Sequence, residues 1–201
     1  GSIPLDGGDV RIDGKSIRKM KDYQRYATMG RVYQNPSLGT SPNLTMLENL
    51  SLADNKGKAF GLGFGVNKKR IDFYRSELAA LGLGLEDKLD VKMGALSGGQ
   101  RQAVALLMAT MTPLKFLILD EHTAALDPKT AETIMVLTGK VVKEKGLTAL
   151  MVTHNLRYAV EYGDRLLMLD HGKIVLDRAG EEKAATSTEE LLAIFNRYSV
   201  M

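Results

Sequence analysis

The segment from Lys115 to Gly163 constrains the fold more than any other part of this chain. Phe116-Leu117-Ile118-Leu119 is a short, continuous apolar run, the pattern of a strand buried on both faces. Asp127-Pro128 then reads as the N-cap and first residue of a helix. That helix carries Ile134, Leu137 and Val141 on one face and ends near Gly146. Residues 148–153 form a second buried strand. Strand, helix and strand in this order make a parallel α/β sheet. With 201 residues, 44% of them hydrophobic, the chain is long enough to bury one such core.

The flanking segments add smaller elements. Val10 and Ile12 alternate with charges around Asp13-Gly14, which predicts an edge hairpin. Residues 28–34 read as a strand and residues 35–43, rich in Pro, Ser and Asn, as a loop. Thr45 and Glu48 have capping-box spacing and open a helix through Leu50. Residues 54–68 are irregular, and Gly61-Leu62-Gly63-Phe64-Gly65 within them is a flexible loop. Ile71, Tyr74, Leu78 and Leu81 recur at helical spacing. Ser97 and Gln100 form a second capping box, followed by Val104, Leu107, Met108 and Met111 as core positions of one helix. Arg165 to Leu169 and Lys173 to Leu176 flank the turn Asp170-His171-Gly172. A last helix starts near Ser187 and carries Leu191, Ile194, Phe195 and Tyr198.

Composition excludes several chemistries. The chain has no cysteine, hence no disulfide, thiolate nucleophile or cysteine metal site. The net charge of +3 is too mild to point to nucleic acid. Arg18, Lys19, Lys21 and Arg25 cluster, but Asp22 interrupts them, as on a solvated face. No apolar run approaches the ~18 residues of a membrane span, and the N-terminus does not read as a signal peptide. Any membrane link therefore runs through a partner. The chain begins at Gly1 without a methionine, the expectation being a processed or truncated product.

Leu96-Ser97-Gly98-Gly99-Gln100 is the most specific motif. Two glycines let a phosphate approach the backbone, and Ser97 caps a helix whose N-terminus offers free N–H groups and a positive dipole end. The pentapeptide matches the signature motif of ABC ATPases, and the chain resembles the nucleotide-binding subunit of an ABC transporter from about Gly7 to Asp177. Lys115 to Glu121 looks like that family's Walker B strand. By resemblance, Asp120 holds Mg²⁺ and Glu121 polarises the attacking water. Ala124-Ala125-Leu126-Asp127 resembles the D-loop, with Asp127 also the helix cap. Thr153-His154 resembles the switch histidine that contacts the γ-phosphate. Val32-Tyr33-Gln34 resembles the Q-loop, with Gln34 touching metal and water.

Two departures stand out. His122 follows Glu121 where many relatives carry proline or alanine, at a position that does not touch the proposed chemistry. The second is a missing phosphate cradle. A Walker A loop, G-x-x-x-x-G-K-[ST], should precede the Q-loop. The only Gly-Lys-Ser is Gly14-Lys15-Ser16, and its first glycine would fall on Asp9. It reads as the turn of the edge hairpin. The expectation is an N-terminally truncated subunit whose Walker A strand, absent here, belongs between the strands at 148–153 and 165–169.

The resemblance implies a P-loop NTPase of the ABC-ATPase type. Residues 1–34 and 112–201 would form a partial RecA-like core, and 35–111 an inserted helical subdomain carrying the signature. ATP and Mg²⁺ would bind between two such subunits. Asp120, Glu121, His154 and Gln34 would act in one, while Ser97, Gly98, Gly99, Gln100 and Asp127 would face the nucleotide across the interface. A membrane permease at the cytoplasmic face, a second nucleotide-binding subunit and a separate solute-binding protein are the implied partners. The detail of Asp120 to Thr130 resembles importers of small organic solutes. The chain alone would be inactive. A soluble ABC ATPase of DNA repair or translation, and a non-catalytic subunit lending its signature, remain the competing classes.

Overall fold

The computed structural model describes residues 3–58 and 65–199. The glycine-rich reading at Gly61 to Phe64 and the side chain of Tyr198 lie outside the described residues. The chain divides into two compact units, Gly1–Val152 and Thr153–Met201.

The first unit opens with β1 (Arg11–Ile12) and β2 (Lys15–Ser16), paired antiparallel with Ile12 opposite Lys15. Asp13 and Gly14 between them have φ of 50° and 73°, the left-handed geometry of a two-residue hairpin turn. The Ser16 hydroxyl donates to Asp9 at 2.5 Å. Gly14-Lys15-Ser16 is thus the end of a hairpin turn and its second strand, in the edge hairpin that its sequence context predicts. Helix α1 (Asp22–Ala27) follows; it buries none of its residues and has no apolar stripe to announce it.

Three parallel strands form the sheet: β3 (Met29–Val32), β4 (Phe116–Asp120) and β5 (Thr148–Val152), in that spatial order. Arg31 pairs with Ile118, which pairs with Leu150. Val32, Leu117 and Leu119 turn to one face and are buried. Around these strands lie α2 (Met46–Asp54), α3 (Ile71–Ala79), α4 (Gly98–Thr110) and α5 (Pro128–Glu144). Both expected capping boxes are formed, at Thr45 with Glu48 and at Ser97 with Gln100.

Helix α4 is buried on two sides and divides two cores. Val104 and Leu107 join Met46, Leu50, Tyr74, Leu78 and Met93 in one cluster. Ala103 and Leu106 join Val32, Leu117, Leu119 and Ile134 in the other, under the sheet. Burying a side chain of this size stabilises by about 1.5–3 kcal/mol, so each cluster holds its helices firmly.

The reading of residues 148–153 as a buried strand is corrected. β5 pairs with β4 alone among the described residues, and Leu150 and Val152 are 45% and 47% exposed. An apolar run marks a strand that could be covered on both faces; the coverage depends on neighbours that the run does not encode.

The second unit contains α6 (Leu156–Glu161), β6 (Arg165–Asp170), β7 (Lys173–Ala179), α7 (Gly180–Ala184) and α8 (Thr188–Ser199). β6 and β7 form the expected hairpin around His171-Gly172, with a bulge after Met168. Arg165 grips Asp177 through two hydrogen bonds of 2.7 and 2.6 Å. Arg178 on β7 reaches Glu190 on α8 at 2.6 Å, and Leu191 is buried.

Candidate functional site

β4 ends in two successive acids. Asp120 is the last strand residue and pairs with Val152. The Glu121 amide donates to the Val152 carbonyl at 2.9 Å, and the Glu121 carbonyl accepts from the Ala124 amide at 2.9 Å. Between these two anchors the Glu121 backbone takes φ of 45°. A non-glycine residue held there costs about 1–3 kcal/mol, and such strain gathers at functional sites. The local fold thus turns the chain sharply at the acid read as general base.

The carboxylate of Asp120 is not bare. Arg31, one strand away on β3, places Nη2 2.6 Å from Asp120 Oδ2, with the two side chains 47% and 37% exposed. The Arg31 guanidinium also lies 4.6 Å from the centre of the Tyr33 ring. The hydrogen bond to Asp120 raises the already high pKa of Arg31, so the guanidinium stays charged. Gln34, the next residue after Tyr33, is exposed.

The Leu96–Gln100 motif lies at the N-terminus of α4. Ser97 accepts from the Gln100 amide at 3.2 Å, and Gln100 Oε1 accepts from the Ser97 amide at 3.3 Å. Ser97 and Gly98 are exposed, whereas Gly99 is buried. The glycines therefore do different jobs. A Cβ on Gly98 would meet Leu126 at 3.5 Å, an ordinary contact, but one on Gly99 would come within 2.2 Å of Thr130 Cγ2. The requirement for glycine at position 99 is close packing of α4 on α5, a reason the motif alone does not reveal. The same contact brings the motif beside Leu126 and Asp127. Asp127 caps α5 by accepting from the Thr130 amide at 3.1 Å; hydrogen bonding from the Thr130 side chain, and then from its amide, lowers the Asp127 pKa.

Two further side chains tie α4 to the loop after β3. Gln102 is fully buried and its Nε2 donates to the Tyr33 carbonyl at 3.0 Å. Arg101 donates to Ser37 Oγ in that loop at 3.4 Å, and to the Gly94 and Leu96 carbonyls ahead of α4 at 3.1 and 3.2 Å. Next to this loop is an open groove of about 270 Å³ lined by Leu38, Thr40, Ser41, Leu52 and Met108. Met108 packs against the first core cluster as expected and also lines this groove.

His154 belongs to the second unit and is exposed. Next to it, Asn155 donates its amide to Thr153 Oγ1 at 3.0 Å and caps α6. Asp120, Glu121, Gln34, Asp127 and Ser97 to Gln100 all belong to the first unit.

His122 is 2% exposed. Its Nε2 lies 3.1 Å from Thr138 Oγ1, and that hydroxyl donates to the Ile134 carbonyl at 2.7 Å. A threonine hydroxyl has one proton, so Nε2 carries a hydrogen and donates it to Thr138, and burial keeps the imidazole neutral. Burial pushes its pKa down to about 4. The histidine is thus an anchor that fixes the residue after Glu121 against α5.

The donor set fits a hydrated magnesium ion. Among the described residues there is no group of three His, Cys, Asp or Glu side chains able to hold a metal. Magnesium does not need one: it keeps several waters and takes one or two carboxylates plus substrate phosphates. Asp120 would supply the carboxylate and the exposed Gln34 an amide oxygen.

Comparison with known proteins gives a consistent result. The model of the family described as "ABC transporter" matches residues 1–124. A tyrosine transport ATP-binding protein of Clostridioides difficile is 46% identical, over 97% of this chain and 77% of its own length. The thiamine import ATP-binding protein ThiQ of Vibrio parahaemolyticus is 36% identical over 93% of this chain and 74% of its own. Among solved structures, the dimeric ATP-binding cassette MJ0796 bound to ADP and Pi is 31% identical, with a TM-score of 0.69 over 87% of this chain and 74% of that one. The cassette MJ1267 gives a TM-score of 0.77 at 25% identity, over 97% of this chain and 78% of that one.

Proposed function

Because this chain belongs to the ABC transporter family of ATP-binding proteins, we propose that it couples ATP hydrolysis at a dimer interface to movement of a solute through a membrane permease. The observation that carries this reading is the end of β4, where Asp120 is followed by Glu121 in left-handed backbone. Phosphoryl transfer to water needs a metal site, an oriented water and charge-neutralising donors, with little covalent work. Asp120 and Gln34 are the metal-side residues. Bound there, Mg²⁺ would neutralise charge developing on the phosphates. Glu121 accepts a proton from the attacking water, and His154 meets the γ-phosphate. Ser97, Gly98, Gly99 and Gln100 present the α4 N-terminus to a nucleotide held by a second subunit, and Gly99 also keeps α4 against α5. Asp127 lies beside that surface.

Residues 35–111, with their own apolar cluster, form the helical subdomain on this reading. The 201 residues contain no G-x-x-x-x-G-K-[ST] run. By themselves they should bind ATP·Mg weakly and hydrolyse none detectably, the cradle having to come from other residues. The import functions in the names of several relatives support an importer of a small organic solute, served by a separate solute-binding protein. No helix among the described residues is long and apolar enough to cross a membrane, so attachment at the cytoplasmic face would run through the permease.

The groove beside Leu38 and Leu52 is the docking surface on this reading. A photo-crosslinker at Ser37 or Asn43, expressed with the native membrane, should capture a multi-span integral membrane protein. Capture of soluble proteins or nucleic acid alone would instead favour an ATPase of DNA repair or translation.

A further inference from the structure

We infer that Arg31 is a resident counter-ion for Asp120, a side chain that holds the metal-site carboxylate until a divalent cation takes its place. This rests on the reading of Asp120 as the metal-side acid. The geometry is specific. The parallel register sets Arg31 opposite Ile118, two residues before Asp120 on the same face of β4. From there its Nη2 spans to Asp120 Oδ2 at 2.6 Å. The guanidinium is also supported by the ring of Tyr33, 4.6 Å away, which follows the last residue of β3.

The consequence is electrostatic. Two adjacent carboxylates, at Asp120 and Glu121, would repel a polyphosphate arriving without its metal. A guanidinium paired with Asp120 lowers that repulsion and offsets one of the two negative charges at the strand end. A divalent cation at Asp120 must compete with this pair. Once displaced, the guanidinium still has the Tyr33 ring to rest on. Arg31 acts through Asp120 and Tyr33, so it is a positioning residue. Lysine would replace the charge but not the planar stacking.

Mn²⁺ alone serves as the probe, read on the 201-residue chain by water-proton relaxation and followed without nucleotide. Circular dichroism checks the fold of each variant. Arg31→Met should bind Mn²⁺ more tightly than wild type, by up to about fivefold, the ratio corresponding to a strong solvent-exposed ion pair. Arg31→Lys should fall between them. Asp120→Asn should abolish the tighter binding in the Arg31→Met background. Unchanged or weaker Mn²⁺ binding by Arg31→Met, with binding still dependent on Asp120, overturns the counter-ion role alone. Mn²⁺ binding that ignores Asp120→Asn in both backgrounds overturns the counter-ion role and the metal-side reading of Asp120 together.

Discussion

Acidification should destabilise this chain in part through His122. In the folded chain its imidazole is buried, neutral and donating to Thr138, with a pKa lowered from 6.5 to about 4. The unfolded chain binds a proton near 6.5, so below that pH protons favour unfolding. The contribution is fully present above the unfolded value, is lost as pH falls, and levels off below the folded one. Integrating the linkage gives a loss of about 2 kcal/mol between pH 7.5 and 5, and about 3 kcal/mol for the whole window. The assay is urea unfolding followed by circular dichroism at the two pH values, with EDTA present. His122→Gln supplies the control, because the glutamine amide keeps a donor for Thr138 and does not titrate. Carboxylates common to both proteins cancel in the comparison. Wild type should lose about 2 kcal/mol more than His122→Gln on acidification. Equal losses in the two proteins would refute the claim that a buried neutral imidazole anchors the residue after Glu121.

The remaining predictions concern packing and binding. Gly99→Ala should lower stability by about 1–3 kcal/mol, since its methyl would enter the space of Thr130 Cγ2; thermal melting reads the loss. Adding Thr130→Ala should restore most of it, and a harmless single variant would remove the packing role of Gly99. Asp127→Ala should lower the melting midpoint by deleting the cap on the Thr130 amide; an unchanged midpoint would show that the cap is dispensable. Calorimetric titration of the 201-residue chain with ATP·Mg should give no micromolar binding, and a one-to-one micromolar isotherm would mean that other residues here cradle the phosphates.

Much of the fold can be read from short-range signals in the chain. The capping boxes at Thr45 and Ser97, the Asp127-Pro128 start and the Asp13-Gly14 turn each specify backbone within four residues, and each is formed. Helix α1 escapes such a reading because its six residues carry no buried face. The short helices α6 and α7 escape it for want of length. The exposure of β5 depends on which strands neighbour it, and an apolar run carries no record of that. In the candidate site, Asp120 and Glu121 are legible because strand and acids are consecutive. Arg31 is not, because its partner is 89 residues away and the pairing follows from strand register. Gln102 and His122 are hidden for the same reason: each gains its meaning from a hydrogen bond across elements, to Tyr33 and Thr138.

The central claim is that the end of β4 activates water for ATP hydrolysis. The direct measurement is the steady-state hydrolysis rate of Glu121→Gln in a protein where a Walker A segment accompanies these residues. Glutamine keeps the size and hydrogen bonding of Glu121 but cannot take the proton. The rate should fall by roughly 10²–10⁴-fold, while ATP still binds and a closed dimer accumulates in sedimentation. A turnover close to wild type, with ATP bound as before, would contradict the account and take the catalytic role away from Glu121.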